Sequence, residues 1–240
     1  MIVLFTDYGE RGPYVGQLLA VLAREAPAVP VINLLADAPR CNPRASSYLL
    51  PAYVPEFPEG TVFLCVVDPG VGSAAQRPVV AAAFGRHFVG PDNGLFDPLL
   101  ARDPGATLHE VLWRPATLSA SFHGRDLYAP VAACLAAGRA LDMRIVAQAA
   151  RPPAAADIDE VIYVDAFGNA MTGRRACTLP AGAAIAVGGV RLPRATTFSD
   201  VPADTAFWYE NANGLVEIAV NQGRADAVLG LAPGTAVCIR

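Results

Sequence analysis

The chain is poor in the features that mark the commoner kinds of functional site. No apolar run approaches the ~20 residues that a membrane-crossing helix needs, so no membrane partner is expected. The five cysteines (Cys41, Cys65, Cys134, Cys177, Cys238) stand far apart, with no Cys-x-x-Cys pair. That spacing argues against a zinc site or a disulfide framework, and for reduced thiols and a cytoplasmic address. Charged residues make up 17% of the chain, net charge is −4 and no basic stripe stands out, so nothing points to nucleic acid. No charged leader with a cleavage site precedes the first apolar segment, so no signal peptide is expected. Gly-x-Gly-x-x-Gly, Walker, His-Glu-x-x-His and Gly-x-Ser-x-Gly motifs are all missing, and with them the usual nucleotide-binding and hydrolase explanations.

What is present is apolar and patterned. The 240 residues are 53% hydrophobic, enough for one large domain or two modest ones. Residues 2–5, 29–34, 61–67, 79–83 and 87–89 read as strands, and 14–25, 44–54 and 126–137 as helices. That alternation predicts an α/β domain over residues 1–150 with a mostly parallel, covered sheet. Residues 151–156, Arg-Pro-Pro-Ala-Ala-Ala, read as a linker. Beyond it, in 157–240, come short strands at 160–164, 184–192, 206–209, 215–220, 226–229 and 236–239, with no convincing helix. Gly and Pro separate them, which predicts a small C-terminal β-barrel or sandwich.

The most informative stretch is residues 62–72, Val-Phe-Leu-Cys-Val-Val-Asp-Pro-Gly-Val-Gly. A buried strand runs directly into Asp68 and is stopped by Pro69, Gly70 and Gly72. Asp68 therefore falls at the carboxyl end of a core strand, where open α/β sheets place their ligands. It suits a general base, a water-orienting group or a metal ligand; the plainer reading is an Asx turn that caps the strand. Asp7, in Thr6-Asp7-Tyr8-Gly9, suits a bidentate hold on two ribose hydroxyls, or a helix cap. Ser121 to Asp126 crowds polar groups before a helix; His123 is the functional candidate there, with Arg125 and Asp126 read as a structural pair. Gly90 to Phe96 is a turn that suits a pocket wall. In the second domain Phe167 suits stacking on a flat base, and Asn169 suits reading its edge; a β-turn with a core Phe is the alternative. Trp208, Tyr209, Glu210, Asn211, Asn213 and Asn221 form an aromatic and amide-rich group further on.

Taken in order, Thr6–Gly9, Val67–Gly72, Gly90–Gly94, Phe122–Asp126, Tyr163–Asn169 and Leu215–Asn221 resemble the S-adenosylmethionine hydroxide adenosyltransferases. These are hydrolytic relatives of the S-adenosylmethionine-dependent fluorinase and chlorinase. The resemblance spans nearly the whole chain. It implies an N-terminal α/β domain, a C-terminal β-barrel and a homotrimer with active sites between neighbouring subunits. It implies S-adenosylmethionine as substrate, adenosine and L-methionine as products, and no metal or cofactor. By resemblance, Asp68 and His123 match two members of an Asp-Arg-His set that holds the attacking water. Asp7 would hold the ribose, Asp165 the methionine amino group, and Phe167 with Asn169 the adenine, with Asn213 and Asn221 nearby. The halogenases carry tyrosine where this chain has Asp68, and a carboxylate would repel a halide by about 4 kcal/mol at 4 Å and an effective dielectric near 20.

Two departures stand out. The family's arginine usually lies seven residues after the aspartate, and here that position is Ala75. A one-residue insertion brings Gln76 or Arg77 near its place, and Arg77 is the expected catalytic arginine. The hydrolases usually carry an acid just before Pro13-Tyr14, and here Gly12 stands there. A halide transferase, or a non-catalytic binder of the same ligand, are the competing readings.

Overall fold

The structure, a computed structural model, describes residues 1–73, 76–147 and 156–240. The expected linker lies outside the described residues except for Ala156. The described chain divides into two compact units. One holds Met1–Ser47 and the chain from Pro55 through residue 147; the other holds Tyr48–Val54 and the chain from Ala156 onward.

The first unit opens with β1 (Ile2–Thr6), α1 (Tyr14–Glu25) and β2 (Val31–Leu35). Every residue of β1 is buried, as a strand covered on both faces requires. In α1, Leu18, Val21 and Leu22 fall on one helical face and are the buried ones. Next come α2 (Pro43–Tyr53), whose second half joins the other unit, and β3 (Val62–Val66), again buried throughout. Then follow β4 (Pro78–Ala83), β5 (Arg86–Pro91), α3 (Asp97–Arg102) and β6 (Thr107–Val111). A π-helical turn at Gly124–Tyr128 leads into α4 (Ala129–Ala136), and β7 (Met143–Ile145) closes the unit. The seven strands form one sheet in the order β2-β1-β3-β5-β4-β6-β7.

Neighbours β2, β1, β3 and β5 pair in parallel, whereas β4, β6 and β7 join in antiparallel fashion. The parallel run brings the loops after β1, β3 and β5 to one edge, and those loops begin at Asp7, Val67 and Asp92. Helices α1 and α4 pack on each other, and α4 lies on β1 and β3. Their core gathers Ile2, Leu4, Leu18, Leu22, Leu64 and Val131. Sequence patterning did not predict α3, β6 or β7. Residues 107–111, Thr-Leu-His-Glu-Val, alternate too weakly in polarity to stand out, and β7 is only three residues long.

The second unit contains β8 (Val161–Val164), β9 (Ala170–Arg175), β10 (Ile185–Val187), β11 (Val190–Leu192), β12 (Ala206–Glu210) and β13 (Leu215–Val220). They are followed by α5 (Ala225–Leu229) and β14 (Cys238–Ile239). One antiparallel sheet runs β12-β13-β9-β8, and a second runs β11-β10-β14. The two share a core of Val161, Ile185, Leu192, Trp208, Ile218 and Val237. Isolated bridges, Glu160 with Ala236 and Arg194 with Trp208, link their edges.

Two expectations are corrected here. The strand expected over 184–192 is a hairpin, because Gly188 and Gly189 adopt φ of 56° and 83° and turn the chain between Val187 and Val190. The strand expected at 226–229 is helix α5. Gly230, at φ 65°, ends it in the left-handed conformation while the Leu231 N–H returns to the Asp226 carbonyl (2.9 Å). Five residues are too few to show a helical period, and Ala-Val-Leu reads equally well as strand.

Candidate functional site

The carboxyl edge of the parallel strands carries a pocket of about 50 Å³ lined by Asp7, Tyr8, Val66, Asp68, Val71, Ser121, His123 and Gly124. A water needs at least ~10–15 Å³, and sites that enclose a drug-sized ligand run to ~300–1,000 Å³. This pocket therefore has room for water and the reacting end of a ligand, not for the whole of one. A larger open groove in the second unit is bordered by Arg191, Cys238 and Arg240, and its lining includes no acidic side chain.

Asp68 is half-buried and held from one side. Its Oδ1 accepts hydrogen bonds from the Gly70 N–H (3.1 Å) and from Gln76 Nε2 (2.6 Å). Its Oδ2 is buried without a hydrogen-bond partner. The Gly70 bond is the Asx turn of the plainer reading, so Asp68 caps its strand and still keeps one oxygen free. Burial raises its pKa, against the lowering effects of Gln76, Gly70 and His123; nearby Asp7 raises it further.

Asp7 accepts a hydrogen bond on Oδ2 from the Cys41 N–H (2.8 Å). Burial raises its pKa too, opposed by that N–H, by its own and by Arg40. Tyr8 and Tyr128 have phenol pKa values pushed well above the ordinary range, first by burial and then by Asp7 and Asp68 for Tyr8 and by Asp68 for Tyr128. Both remain neutral hydroxyls beside the acids. Tyr8 leans on Gly124 so closely that a Cβ there would sit 2.0 Å from its Oη.

His123 immediately precedes the π-helical turn, an irregularity that often marks functional positions. What anchors that turn is the neighbouring ion pair. Arg125 Nε donates to Asp126 Oδ1 (2.6 Å) and Nη2 to Oδ2 (3.0 Å), while Nη1 reaches Gln17 (2.9 Å). The guanidinium also lies 5.1 Å from the centre of the Phe122 ring, and Asp126 accepts from the Ser119 N–H (2.9 Å). The pair is structural and sets the loop that presents His123.

Arg77 is placed elsewhere. Its Nη2 donates to Asp92 (2.5 Å), its carbonyl accepts from the Asp92 N–H (2.9 Å), and it does not line the pocket. The residue that reaches Asp68 is Gln76. The loop after β5 is tied to the same edge through Asn93, whose Nδ2 donates to the Val67 carbonyl (2.9 Å).

In the second unit Asp165, Phe167 and Asn169 share one turn. Asp165 accepts from the N–H groups of Phe167 and Asn169 (both 2.9 Å) and from Asn169 Nδ2 (3.2 Å). Phe167 is 77% exposed and is therefore no core residue. Asn213 and Asn221 flank opposite ends of β13, separated by about 20 Å of strand. Asn221 Nδ2 is committed to the Val201 carbonyl (2.8 Å), and the Asn213 N–H to Asn211 Oδ1 (2.9 Å). Sequence reasoning did not single out Glu217. It is buried, accepts from Tyr209 Oη (2.6 Å) and Asn211 Nδ2 (2.7 Å), and has a pKa raised first by that burial. The signal was an acid in an otherwise apolar strand, Leu-Val-Glu-Ile-Ala-Val.

Fold and pocket together define an α/β protein with two carboxylates, an imidazole and a neutral phenol converging at the carboxyl edge of a parallel sheet. The chain belongs to the SAM hydroxide adenosyltransferase family: the family's N-terminal domain matches residues 2–144 and its C-terminal domain residues 159–238. It is 40% identical to the (R)-S-adenosyl-L-methionine hydrolase of Thermus thermophilus, with 98% of each chain covered. It is 37% identical to the enzyme of the same name from Salinispora tropica, covering 95% of this chain and 93% of that one. Among solved structures, an uncharacterized conserved protein of Thermotoga maritima superposes with a TM-score of 0.84 at 32% identity, over 100% of both chains.

Proposed function

We propose that this protein hydrolyses S-adenosyl-L-methionine, in the R configuration at sulfur, to adenosine and L-methionine. The observation that carries the reading is Asp68: a pocket carboxylate whose Oδ1 is fixed by two donors and whose Oδ2 is buried and unbonded. Water donating to Oδ2 presents a lone pair to ribose C5′. The C5′–O bond forms as the C5′–S bond breaks, and its electron pair neutralises the sulfonium. The water proton leaves through Asp68 or His123 to solvent. No acid is needed at the leaving group and no metal or cofactor enters, because a thioether departs from a sulfonium without help. Orienting and polarising the water is worth ~10²–10⁴-fold.

Asp7 would hold the ribose hydroxyls. Asp165, Phe167 and Asn169 would meet the methionine and adenine ends, with Asn213 and Asn221 nearby. The exposed Phe167 ring supports that role. A homotrimer with interfacial sites fits a first-unit pocket too small for the whole ligand. A closed C-terminal barrel is supported by hydrogen bonds across both sheet edges: Val161 N–H to Thr235 (2.8 Å), Val237 N–H to Asp159 (2.9 Å), Ala195 N–H to Trp208 (3.0 Å) and Trp208 N–H to Pro193 (3.0 Å). Five free cysteines suit a cytoplasmic address, and no helix among the described residues is long and apolar enough to cross a membrane.

The test is incubation with each sulfur epimer, with and without chloride, and identification of products by mass. Adenosine from the R epimer, lost in Asp68→Asn, is expected. A 5′-chloro nucleoside would make the protein a halide transferase, and retained ligand with no turnover would make it a binder.

A further inference from the structure

We infer that Gln76 is the positioning residue for Asp68, an uncharged clamp that fixes the carboxylate without neutralising it. The inference rests on the hydrolase reading for its kinetic consequences but not for its geometry. Gln76 Nε2 lies 2.6 Å from Asp68 Oδ1 and makes the shorter of the two hydrogen bonds there. Its amide is packed in place: a Cβ on Gly70 would lie 2.9 Å from Gln76 Oε1. Its backbone N–H is anchored on the Ser73 carbonyl (3.2 Å). The adjacent cation cannot serve Asp68 at the same time. Arg77 is held on Asp92 by both its side chain and its carbonyl.

An amide and a guanidinium both donate to a carboxylate, but only the guanidinium brings charge. The groups that face Asp68 are Asp7 and Tyr8 from the loop after β1, and His123 and Tyr128 from the π-helical turn and its lead-in. The two tyrosines are neutral and Asp7 is an acid, so His123 is the one group among these that can be cationic. With Gln76 on Oδ1, the carboxylate loses only what a neutral hydrogen bond takes from its basicity. An arginine there would hold it as firmly and weaken it as a hydrogen-bond acceptor.

The test compares wild type with Gln76→Leu, Gln76→Arg and Gly70→Ala by adenosine release against pH, and by ¹³C titration of the Asp68 carboxyl. The leucine variant is expected to lose at least about tenfold in kcat, since misplacement of a reacting group by ~1 Å can cost ~10²-fold, with KM little changed. The arginine variant is expected to recover part of that loss and to move the acid limb, and the Asp68 titration, to lower pH. Gly70→Ala should cost less than Gln76→Leu and add nothing to it in the double variant, because both act through one amide. An unmoved Asp68 titration in Gln76→Leu and Gln76→Arg would overturn the inference. So would an acid limb that responds to Arg77→Leu and not to Gln76→Leu. If wild type releases no adenosine, the hydrolase reading fails, and the carboxyl titration still decides the role of Gln76.

Discussion

Replacing Gly124 with alanine adds one methyl group at a position whose backbone accepts it, because Gly124 is not among the residues with positive φ. The whole effect is therefore steric. The new Cβ would meet Tyr8 Oη at 2.0 Å, Tyr8 Cζ at 3.1 Å and Phe122 Cε2 at 3.4 Å. Ordinary contact begins near 3.4 Å, so the Tyr8 hydroxyl must retreat by about 1.4 Å. Tyr8 is hemmed in by the rings of Tyr14 and Phe122, each with its centroid 5.7 Å away, and cannot swing freely. Overpacking of this kind costs about 1–3 kcal/mol. In a domain of this size that is a fall in Tm of about 2–4 °C per kcal/mol. Because Tyr8 lines the pocket beside Asp7 and Asp68, a shift above 1 Å should also cost up to ~10²-fold in kcat. Thermal unfolding and adenosine release measure the two effects separately. Tyr8→Phe in the Gly124→Ala background removes the atom with the worst overlap, so it should restore part of the Tm. A Gly124→Ala protein with wild-type Tm and kcat, or a double variant no more stable than the single, would refute the contact on which the pocket's shape depends.

Three further outcomes are expected. Asp68 must be ionised to polarise the attacking water as a base and take its proton, and burial raises its pKa, so activity should fall on acidification at a pH above the 3.8 of unperturbed aspartate; a kcat/KM profile flat to below that value would count against Asp68. Phe167→Ala should raise KM by several-fold and leave Tm within about 1 °C, since an exposed ring adds little packing; unchanged KM would remove Phe167 from the adenine side. Glu217 has a folded-state pKa above its unfolded one, so its ionised form weakens the fold at neutral pH, and the penalty lifts as pH falls through the folded pKa. The Tm of wild type should therefore gain on that of Glu217→Gln as pH falls from 7 toward the 4.5 of unperturbed glutamate, and a gap that stays constant would contradict the assignment.

The parts of the fold that were legible are those where one physical demand dominates. β1 and β3 are buried at every position, so their apolar runs are uninterrupted, and Asp68 could be placed at the end of its strand from the run alone. α1 shows its buried stripe at helical spacing. β9 was hidden because its residues answer to two demands at once. Ala170, Thr172 and Gly173 are buried, but Arg174 and Arg175 continue the strand while pairing with Asp159 (2.7 Å) and Asp157 (2.8 Å). Ion pairs satisfied across the chain erase the local alternation that patterning reads.

The same distinction explains why the position of Asp68 was legible and the residue that bonds it was not. An acid after a strand is a local signal, carried by neighbours in sequence. Which of Gln76 and Arg77 reaches that acid depends on Asp92, the residue after β5, whose position beside Arg77 is fixed by the antiparallel pairing of Pro78 with Pro91. Charge alone favours the arginine. The register of β4 against β5 instead presents it with another carboxylate at 2.5 Å, and Gln76 is left as the residue that reaches Asp68. In this chain a strand register, set by sheet pairing between residues that do not line the pocket, decides whether the Asp68 carboxylate is held by a neutral group or a charged one.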